Sequence, residues 1–546
     1  MPSPALTVRA PLLWLLLPLM AGLSAAKAWP VPAFGLAPLL AGAAIAASVA
    51  LGALCLHRPQ LGMTALVLAG GLAGFALLHL RQPALHHWET RAPREVALSF
   101  KVTDTFRASP GARSLSGLGI VTAVGEHDEA LVGQLIYFSA ISRVSVTPRR
   151  SAIYLARGVL EPLPRDTADG FTDYLANLGV RHRFIRVQLT QETSPPSWIE
   201  GCLDRTRDRF ETILWHGLEA HPGTASLYVA MLLGEKAALN PEQEAAFMRS
   251  GTFHVFSVSG LHVGVIALAV AMLLRAIRFS PRAAAVVTLV VLWSYVQITG
   301  TDTPAVRAYI MIAFLLSSNV FRLPGNALAA LAASALVALL HDPLQLFSTG
   351  FQMSYSVVAA LILMGGPLAD RWLVHWQPFA LRPRPEWRWW HDALQWFGRK
   401  GITALAGCWA AFLASTPSSI GYFDVFSPGS LLANLVILPL TTFAIIAGFL
   451  SLVTGIVGLL SLSALFNSAA ALIIIATDWL VQAETALPGA YFPATFRAAW
   501  LAPAGMALLT AVFLAGAAGR WKSRYGGFWP PVILLALLLA CGVTYT

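Results

Sequence analysis

Residues Ser250 to Val263 read S-G-T-F-H-V-F-S-V-S-G-L-H-V. Two histidines (His254, His262) and two serines (Ser257, Ser259) crowd around Gly260, and an apolar run, Val263–Leu274, follows at once. A serine beside an imidazole can act as a nucleophile with its base, the chemistry of a hydrolase. The flanking pattern is not that of the common hydrolases. No G-x-S-x-G elbow is present, and the histidines are eight apart, not four as in an H-E-x-x-H zinc site. The second chemistry is anion binding. A helix beginning here points N–H groups at whatever enters, which favours a phosphate. Gly251, Gly260 and Gly264 let the backbone turn, or let helices pack closely.

Polar groups recur at the ends of later apolar runs or within them: Asp302, Arg307, Asp342, Gln352, Ser354, Tyr355 and Asn434. A charge in hydrocarbon is costly unless paired or hydrated. Arg307 therefore needs a partner, a phosphate or a water-filled cavity, unless it snorkels to the surface. Asp302 and Asp342 are the candidate partners, although Asp342-Pro343 also reads simply as a loop and helix start. Pro439, after Asn434, predicts a kink, and broken membrane helices are tolerated where they line a protein-enclosed cavity.

The elements that hold these groups are apolar. Of 546 residues, 56% are hydrophobic and 12% charged, where soluble domains carry about a quarter charged residues. The chain reads as a polytopic α-helical membrane protein. Helices are expected near 11–26, 33–55, 61–80, 255–274, 283–299, 305–320, 326–341, 349–366, 401–416, 429–454, 462–482, 501–518 and 529–545, about thirteen crossings. The first 27 residues have the features of a signal peptide, but two apolar runs follow closely, so an uncleaved first helix is expected. With the N-terminus inside, Arg275, Arg278, Arg282, Arg322, the loop Arg371–Lys400 and Arg520–Arg524 all fall on the cytoplasmic side, as the positive-inside rule requires. The net charge of +10 is read as these loop arginines. Four scattered cysteines (Cys55, Cys202, Cys408, Cys541) make neither a disulfide framework nor a zinc site. No Walker A motif is present.

Between Glu95 and Thr190 the pattern changes. Val96, Leu98, Phe100 and Val102 alternate with Ala97, Ser99 and Lys101, the period of a half-buried strand. Further strands are expected at Gly119–Val124, Leu131–Ser139, Ile153–Leu160 and Arg183–Leu189. Five strands in this length suit a small barrel such as the OB (oligonucleotide-binding) fold. From Trp198 to Leu218 an amphipathic helix is expected, resting on the membrane surface or docked to the soluble part. The expected organisation is 1–82, N-terminal membrane helices; 83–195, an extracytoplasmic OB-fold-like domain; 196–250, amphipathic and linker helices; and 251–546, a second membrane block.

Several blocks, in order, carry a family resemblance. L-L-G-E-K (Leu232–Lys236), F-M-R-S-G-T-F-H-V-F-S-V-S-G-L-H-V (Phe247–Val263), P-A-V-R-A (Pro304–Ala308), D-P-L-Q-L-F-S-T-G-F-Q-M-S-Y (Asp342–Tyr355), S-T-P (Ser415–Pro417) and A-N-L-V-I-L-P-L (Ala433–Leu440) resemble the competence region of ComEC-type DNA-uptake channel proteins. G-F-T-D-Y-L-A-N-L-G-V (Gly170–Val180) looks like the end of that family's OB-like domain. The resemblance implies a bacterial inner-membrane channel that passes one DNA strand into the cell during natural transformation. It implies three further partners: a cytoplasmic helicase-like translocase, an extracytoplasmic DNA receptor and the lipid bilayer. The pore lies within one chain or between two, as a homodimer.

On that reading His254, Ser257, Ser259, Gly260, His262, Arg307, Asp342, Gln352, Ser354 and Asn434 are pore or gate candidates without a catalytic role. Arg143, Arg149, Arg150, Arg157, Arg181, Arg183 and Arg186 are candidates for phosphate contacts. Trp387, Trp389, Trp390 and Trp396, set among cations, are interfacial anchors, or else stack bases or dock a motor. Many relatives carry a metallo-β-lactamase-like domain after the last helix; no H-x-H-x-D-H signature is present here. No nuclease activity, cofactor or metal is therefore expected. The competing functions are transport of a small or lipid-linked solute and intramembrane hydrolysis by the serine–histidine cluster.

Overall fold

Hydrocarbon offers no water to backbone N–H and C=O groups, so long apolar runs close their hydrogen bonds internally as helices. The computed structural model describes residues 10–29, 35–81, 92–106, 114–125, 129–141, 148–164, 170–234, 240–301, 303–322, 325–379, 382–523 and 526–545. Three helices come first: α1 (Leu13–Ala28), α2 (Ala37–Cys55) and α3 (Pro59–Arg81). α1 packs against α3 through small residues. A β-carbon at Gly74 would stand 2.3 Å from the Leu19 carbonyl oxygen, so only glycine permits this approach.

Five strands follow: β1 (Arg94–Phe106), β2 (Ser114–Val124), β3 (Leu135–Ile141), β4 (Ile153–Pro162) and β5 (His182–Ser194), with α4 (Gly170–Asn177) between the last two. They close a barrel in the order β1-β2-β3-β5-β4. An odd number of strands cannot alternate direction all the way around a closed barrel. One neighbouring pair must run parallel, and that pair is β3 with β5. The alternation seen in β1 buries Leu98, Phe100 and Val102. Phe138 and Phe184 meet Phe100 inside, with ring centroids 5.0 Å and 6.2 Å away.

The chain then enters the second helical block. Its helices are α5 (Trp198–Trp215), α6 (Pro222–Leu233), α7 (Pro241–Arg249), α8 (Gly260–Ala276), α9 (Pro281–Ile298), α10 (Thr303–Val320) and α11 (Ala327–His341). After them come α12 (Thr349–His375, with a π turn at Leu361–Gly365), α13 (Trp389–Phe423), α14 (Ser430–Ile456), α15 (Leu460–Thr485), α16 (Leu501–Ala518) and α17 (Trp529–Gly542). Short strands β6 (Val425–Phe426), β7 (Phe492–Phe496) and β8 (Val543–Tyr545) form one sheet.

A helix stands at each of the thirteen expected places. Among the described residues, however, seven helices are long and apolar enough to cross a membrane: α3, α9, α10, α12, α14, α15 and α16. α1, α2, α8, α11 and α17 offer shorter apolar stretches of 10–17 residues. The chain is a mostly helical membrane protein with a small β region. One helix was not foreseen. α6 is mostly apolar and buried from Leu227 to Leu233, so part of the segment expected as linker helices is core of the helical block.

α5 joins the two regions. Its N-terminus is a capping box in which the Ser197 N–H and Oγ donate to Glu200 Oε2 at 3.1 Å and 2.7 Å. Glu200 Oε1 accepts from Ser151 Oγ at 2.5 Å and Lys101 Nζ at 3.3 Å, both on the barrel. At its other end Ile213 and Leu214 are buried in the helical core. There Asn467 Nδ2 donates to the carbonyls of Ile213 (2.7 Å) and His216 (2.9 Å), and its Oδ1 accepts from the Tyr228 hydroxyl at 3.2 Å. Arg150 beside the Gly300 turn and Gly179 against Leu344 give the barrel two further seats on the block.

Asn467→Leu removes one of the two donors to the Ile213 carbonyl and takes their partner from the His216 carbonyl and the Tyr228 hydroxyl, and is expected to cost about 2 kcal/mol. The Tm of the detergent-purified protein measures it. Burial alone would raise the Glu200 carboxyl, but hydrogen bonds from Ser151, Ser197 and Lys101 outweigh burial and hold it down to about 2. A depressed carboxylate stabilises the fold above its unfolded value and loses that contribution as pH falls through the folded value. The stabilising effect of Glu200 over Glu200→Gln is therefore expected in full at pH 6 and gone near pH 2. Hydrogen exchange of the α5 N-terminus reads the difference.

Candidate functional site

The segment singled out in the sequence is a hinge between α7 and α8. Asn240 caps α7 by accepting from the Glu242 N–H. Gly251 takes φ of +69° and lies against Ser430 at the head of α14, where Ser427 Oγ donates to the Arg249 carbonyl. A short 3-10 turn spans Phe253–Phe256, and α8 begins at Gly260.

Ser259 and His262 form a capping box. Ser259 Oγ accepts from the Leu261 N–H at 3.2 Å, and His262 Nδ1 accepts from the Ser259 N–H at 3.2 Å. Ser259 Oγ lies 3.0 Å from the same Nδ1. A nitrogen that accepts from a backbone N–H carries no proton of its own, so neutral His262 holds its proton on Nε2. Imidazole here takes the place that Glu or Gln fills in the ordinary box. The ring is 1% exposed, and His254, in the preceding turn, is its exposed neighbour. Ser257 Oγ donates to the His254 carbonyl at 3.3 Å and closes that turn.

Arg307 reaches this cap from α10. A β-carbon at Gly260 would stand 2.9 Å from Arg307 Nη2, so the guanidinium lies on the bare backbone of the first residue of α8. Arg307 is 6% exposed. Its Nη1 donates to Met311 Sδ at 3.6 Å, its Cζ stands 5.7 Å from the Tyr355 ring centroid, and its Nε makes no hydrogen bond. Among the described residues no carboxylate pairs with it. A cation–π contact returns up to about 2 kcal/mol when desolvated, less than the several kcal/mol that burying an unpaired charge costs. Among the described residues the site is cationic and uncompensated.

The other expected residues divide into structural locks and outward groups. Asp342 does not pair with Arg307: its Oδ1 accepts from the Leu344 N–H and starts the turn Pro343–Phe347, because Asp-Pro is a strong local start signal. Asp302 and Arg143 lie outside the described residues. Gln352 donates to the Leu346 carbonyl at 3.0 Å and accepts from the Tyr422 hydroxyl at 2.7 Å, so it ties α12 to α13. Ser354 is half-buried on α12. Asn434, one turn into α14, has a buried Oδ1 without a hydrogen bond.

On the barrel, Arg150 Nε donates to the Thr103 carbonyl and Arg183 Nη2 to Thr172 Oγ1, so both brace the fold. Arg181 is half-buried, while Arg149, Arg157 and Arg186 are exposed. Arg157 and Arg186 sit on neighbouring strands at a bulge, where Arg186 takes φ of +53° and the alternation of β5 changes phase. Trp389, at the head of the 35-residue α13, is 82% exposed. That helix is about 52 Å long, more than the bilayer's hydrocarbon core.

Three polar residues escaped the sequence reading. Asn467 is one. Asp478 and Glu484 on α15 are the others, with both Glu484 carboxylate oxygens buried beside Gly429 and without hydrogen bonds. The signal was available, since each is a polar residue within an apolar run.

The sequence model of the Competence protein family matches residues 231–519, which include the α8 cap and Arg307. ComE operon protein 3 of Bacillus subtilis (strain 168) is 27% identical over 320 residues, covering 57% of this chain and 36% of that protein. Competence protein ComA of Neisseria gonorrhoeae is 33% identical over 160 residues, covering 27% of this chain and 23% of that protein. The matches thus span about a third and a quarter of those relatives. No solved structure matches the chain.

The capping role separates two variants of His262. Glutamine keeps a side-chain acceptor at this position and alanine removes it. His262→Gln is expected to fold with the wild-type Tm, and His262→Ala to lose about 1 kcal/mol. Equal losses in both would mean that the ring acts here through something besides the cap.

Proposed function

The chain belongs to the competence protein family, and on that premise we propose that it is a channel in the bacterial inner membrane through which single-stranded DNA enters during natural transformation. The observation that carries the reading is Arg307, a buried cation with no described counter-charge, within the region the family shares. A nucleic-acid strand brings a negative charge at every step, and a conduit for it needs fixed positive charge that is not already neutralised.

We read all thirteen helices as crossings, with the barrel outside as an OB-like module. The strand pairings support this. β6 pairs with β7 across α14 and α15, and β7 with β8 across α16 and α17. Each pairing needs an even number of crossings between its strands, as this topology supplies. The barrel also rests against Gly300 and Leu344, two turns that the arginine pattern independently puts outside. On this reading Arg149, Arg157 and Arg186 offer the phosphate contacts, and Trp389 and its neighbours anchor at the inner interface.

The role is conductive, not catalytic. His262 Nδ1 is already committed to the Ser259 N–H, and among the described residues no carboxylate orients the ring. Movement needs a cytoplasmic helicase-like translocase, and capture an external receptor; the pore is complete in one chain or shared in a homodimer.

Cells lacking the chain are expected to bind labelled DNA outside and to contain no DNase-protected label in the cytoplasm, with re-expression restoring it. The Arg157→Gln/Arg186→Gln pair should lower the salt dependence of single-strand binding by about 1.4, the slope for two phosphates. Normal DNA internalisation in the deletion strain would refute the channel. Labelling of Ser257 or Ser259 by a serine-reactive phosphonate would favour hydrolysis instead.

A further inference from the structure

We propose that the head of α8 and the guanidinium of Arg307 together form a seat for one phosphate group of the strand, with the guanidinium kept at rest by weak contacts to Met311 and Tyr355 until a strand arrives. The inference rests on the channel reading and names the chemistry of one step within it.

Two positive ends converge here. The first turn of a helix carries about half a unit of positive charge, and Arg307 places a full unit directly on Gly260. Like charges this close repel, and the low-dielectric surroundings sharpen the repulsion. Among the described residues the neighbours of this cap and guanidinium are an alanine (Ala308, near Gly260), a thioether and an aromatic ring, all without charge. An anion between the two ends would be attracted by both.

The orientation of Arg307 fits a phosphate oxygen pair. Nη1 faces Met311, Nη2 lies against Gly260, and Nε, on the same edge as Nη2, has no partner. That edge is the fork through which arginine grips phosphate with two parallel hydrogen bonds. Glycine makes the approach possible, because any β-carbon at position 260 would occupy the same space.

The contacts that hold the guanidinium in place are weak ones. A thioether is a poor acceptor, and the Tyr355 ring stands at the far limit of a cation–π contact. A charge-assisted pair with phosphate is stronger than either. An arriving phosphate on the Nε–Nη2 edge therefore draws the guanidinium away from Met311 and Tyr355, and a departing one lets it return. Such a latch gives a strand temporary hold without a permanent ion pair to break at each step.

The test uses the full chain purified in a maltoside detergent, which contains no phosphate, with a fluorescein-labelled thymidine oligonucleotide as probe across a salt series. Arg307→Gln is expected to bind about tenfold more weakly and to lose about 0.7 from the salt slope, the share of one phosphate on a single strand. Arg307→Lys should recover the slope but only part of the affinity. Gly260→Ala should reproduce the loss while keeping the charge. Each variant is compared at matched Tm, and Gly260→Ala carries the test if Arg307→Gln does not fold. Asp302→Asn should leave affinity within about twofold.

Wild-type affinity and slope in Arg307→Gln and Gly260→Ala would overturn the seat. A loss in Asp302→Asn equal to that in Arg307→Gln would also overturn it, by assigning the guanidinium to an internal ion pair. Co-purified phospholipid that disappears in Arg307→Gln, with DNA affinity unchanged, would give the seat to a lipid headgroup. None of these outcomes is confused with failure of the channel itself, which the deletion strain reports.

Discussion

A permanent charge buried among apolar helices must be answered by something, and Arg307 is answered among the described residues only by a sulfur, a ring and the bare backbone of Gly260. Arginine cannot discard its proton to escape the cost. The local architecture follows from that constraint. α8 must begin with glycine where the guanidinium lies. The free N–H groups of its first turn must be managed from the other side, by Ser259 and His262. The hinge before it must be fixed, which the left-handed Gly251 and the contacts to Ser427 and Ser430 achieve.

The same economy of polar groups organises the rest of the block. Asn467 spends three hydrogen bonds on joining α5 and α6 to α15. Gln352 bridges the turn before α12 and the hydroxyl of Tyr422. Each replaces water that hydrocarbon cannot supply. α5 then carries this rigidity out to the barrel, where Glu200 meets Lys101 and Ser151. A strand bound on the barrel and a phosphate at α8 would thus act on one connected frame.

The helices were legible because length and apolarity alone decide them, and the strands because their side chains alternate. α6 was not, since a twelve-residue, mostly apolar stretch beside a polar segment looks like the margin of a loop until neighbours are seen on every side. The need of Arg307 for a partner was legible from its charge and surroundings, but the partner was not. Nearby acids looked suitable, yet Asp342 was claimed by its own turn. The contact that matters joins Arg307 to Gly260, on a different helix, and a glycine has no chemistry to advertise. Arg150 and Arg183 looked like free cations for the same reason: their acceptors, Thr103 and Thr172, signal nothing in one dimension.

The most direct test of the account is to place a photoreactive benzoylphenylalanine at Met311, which touches Arg307, and at Leu268, which is 62% exposed on the outside of α8. Cells taking up labelled DNA are then illuminated. The account expects a covalent protein–DNA adduct from position 311 and none from position 268. Normal accumulation of internal DNA with no adduct at 311 would contradict it, because the strand would then be crossing the membrane by a path that does not pass Arg307.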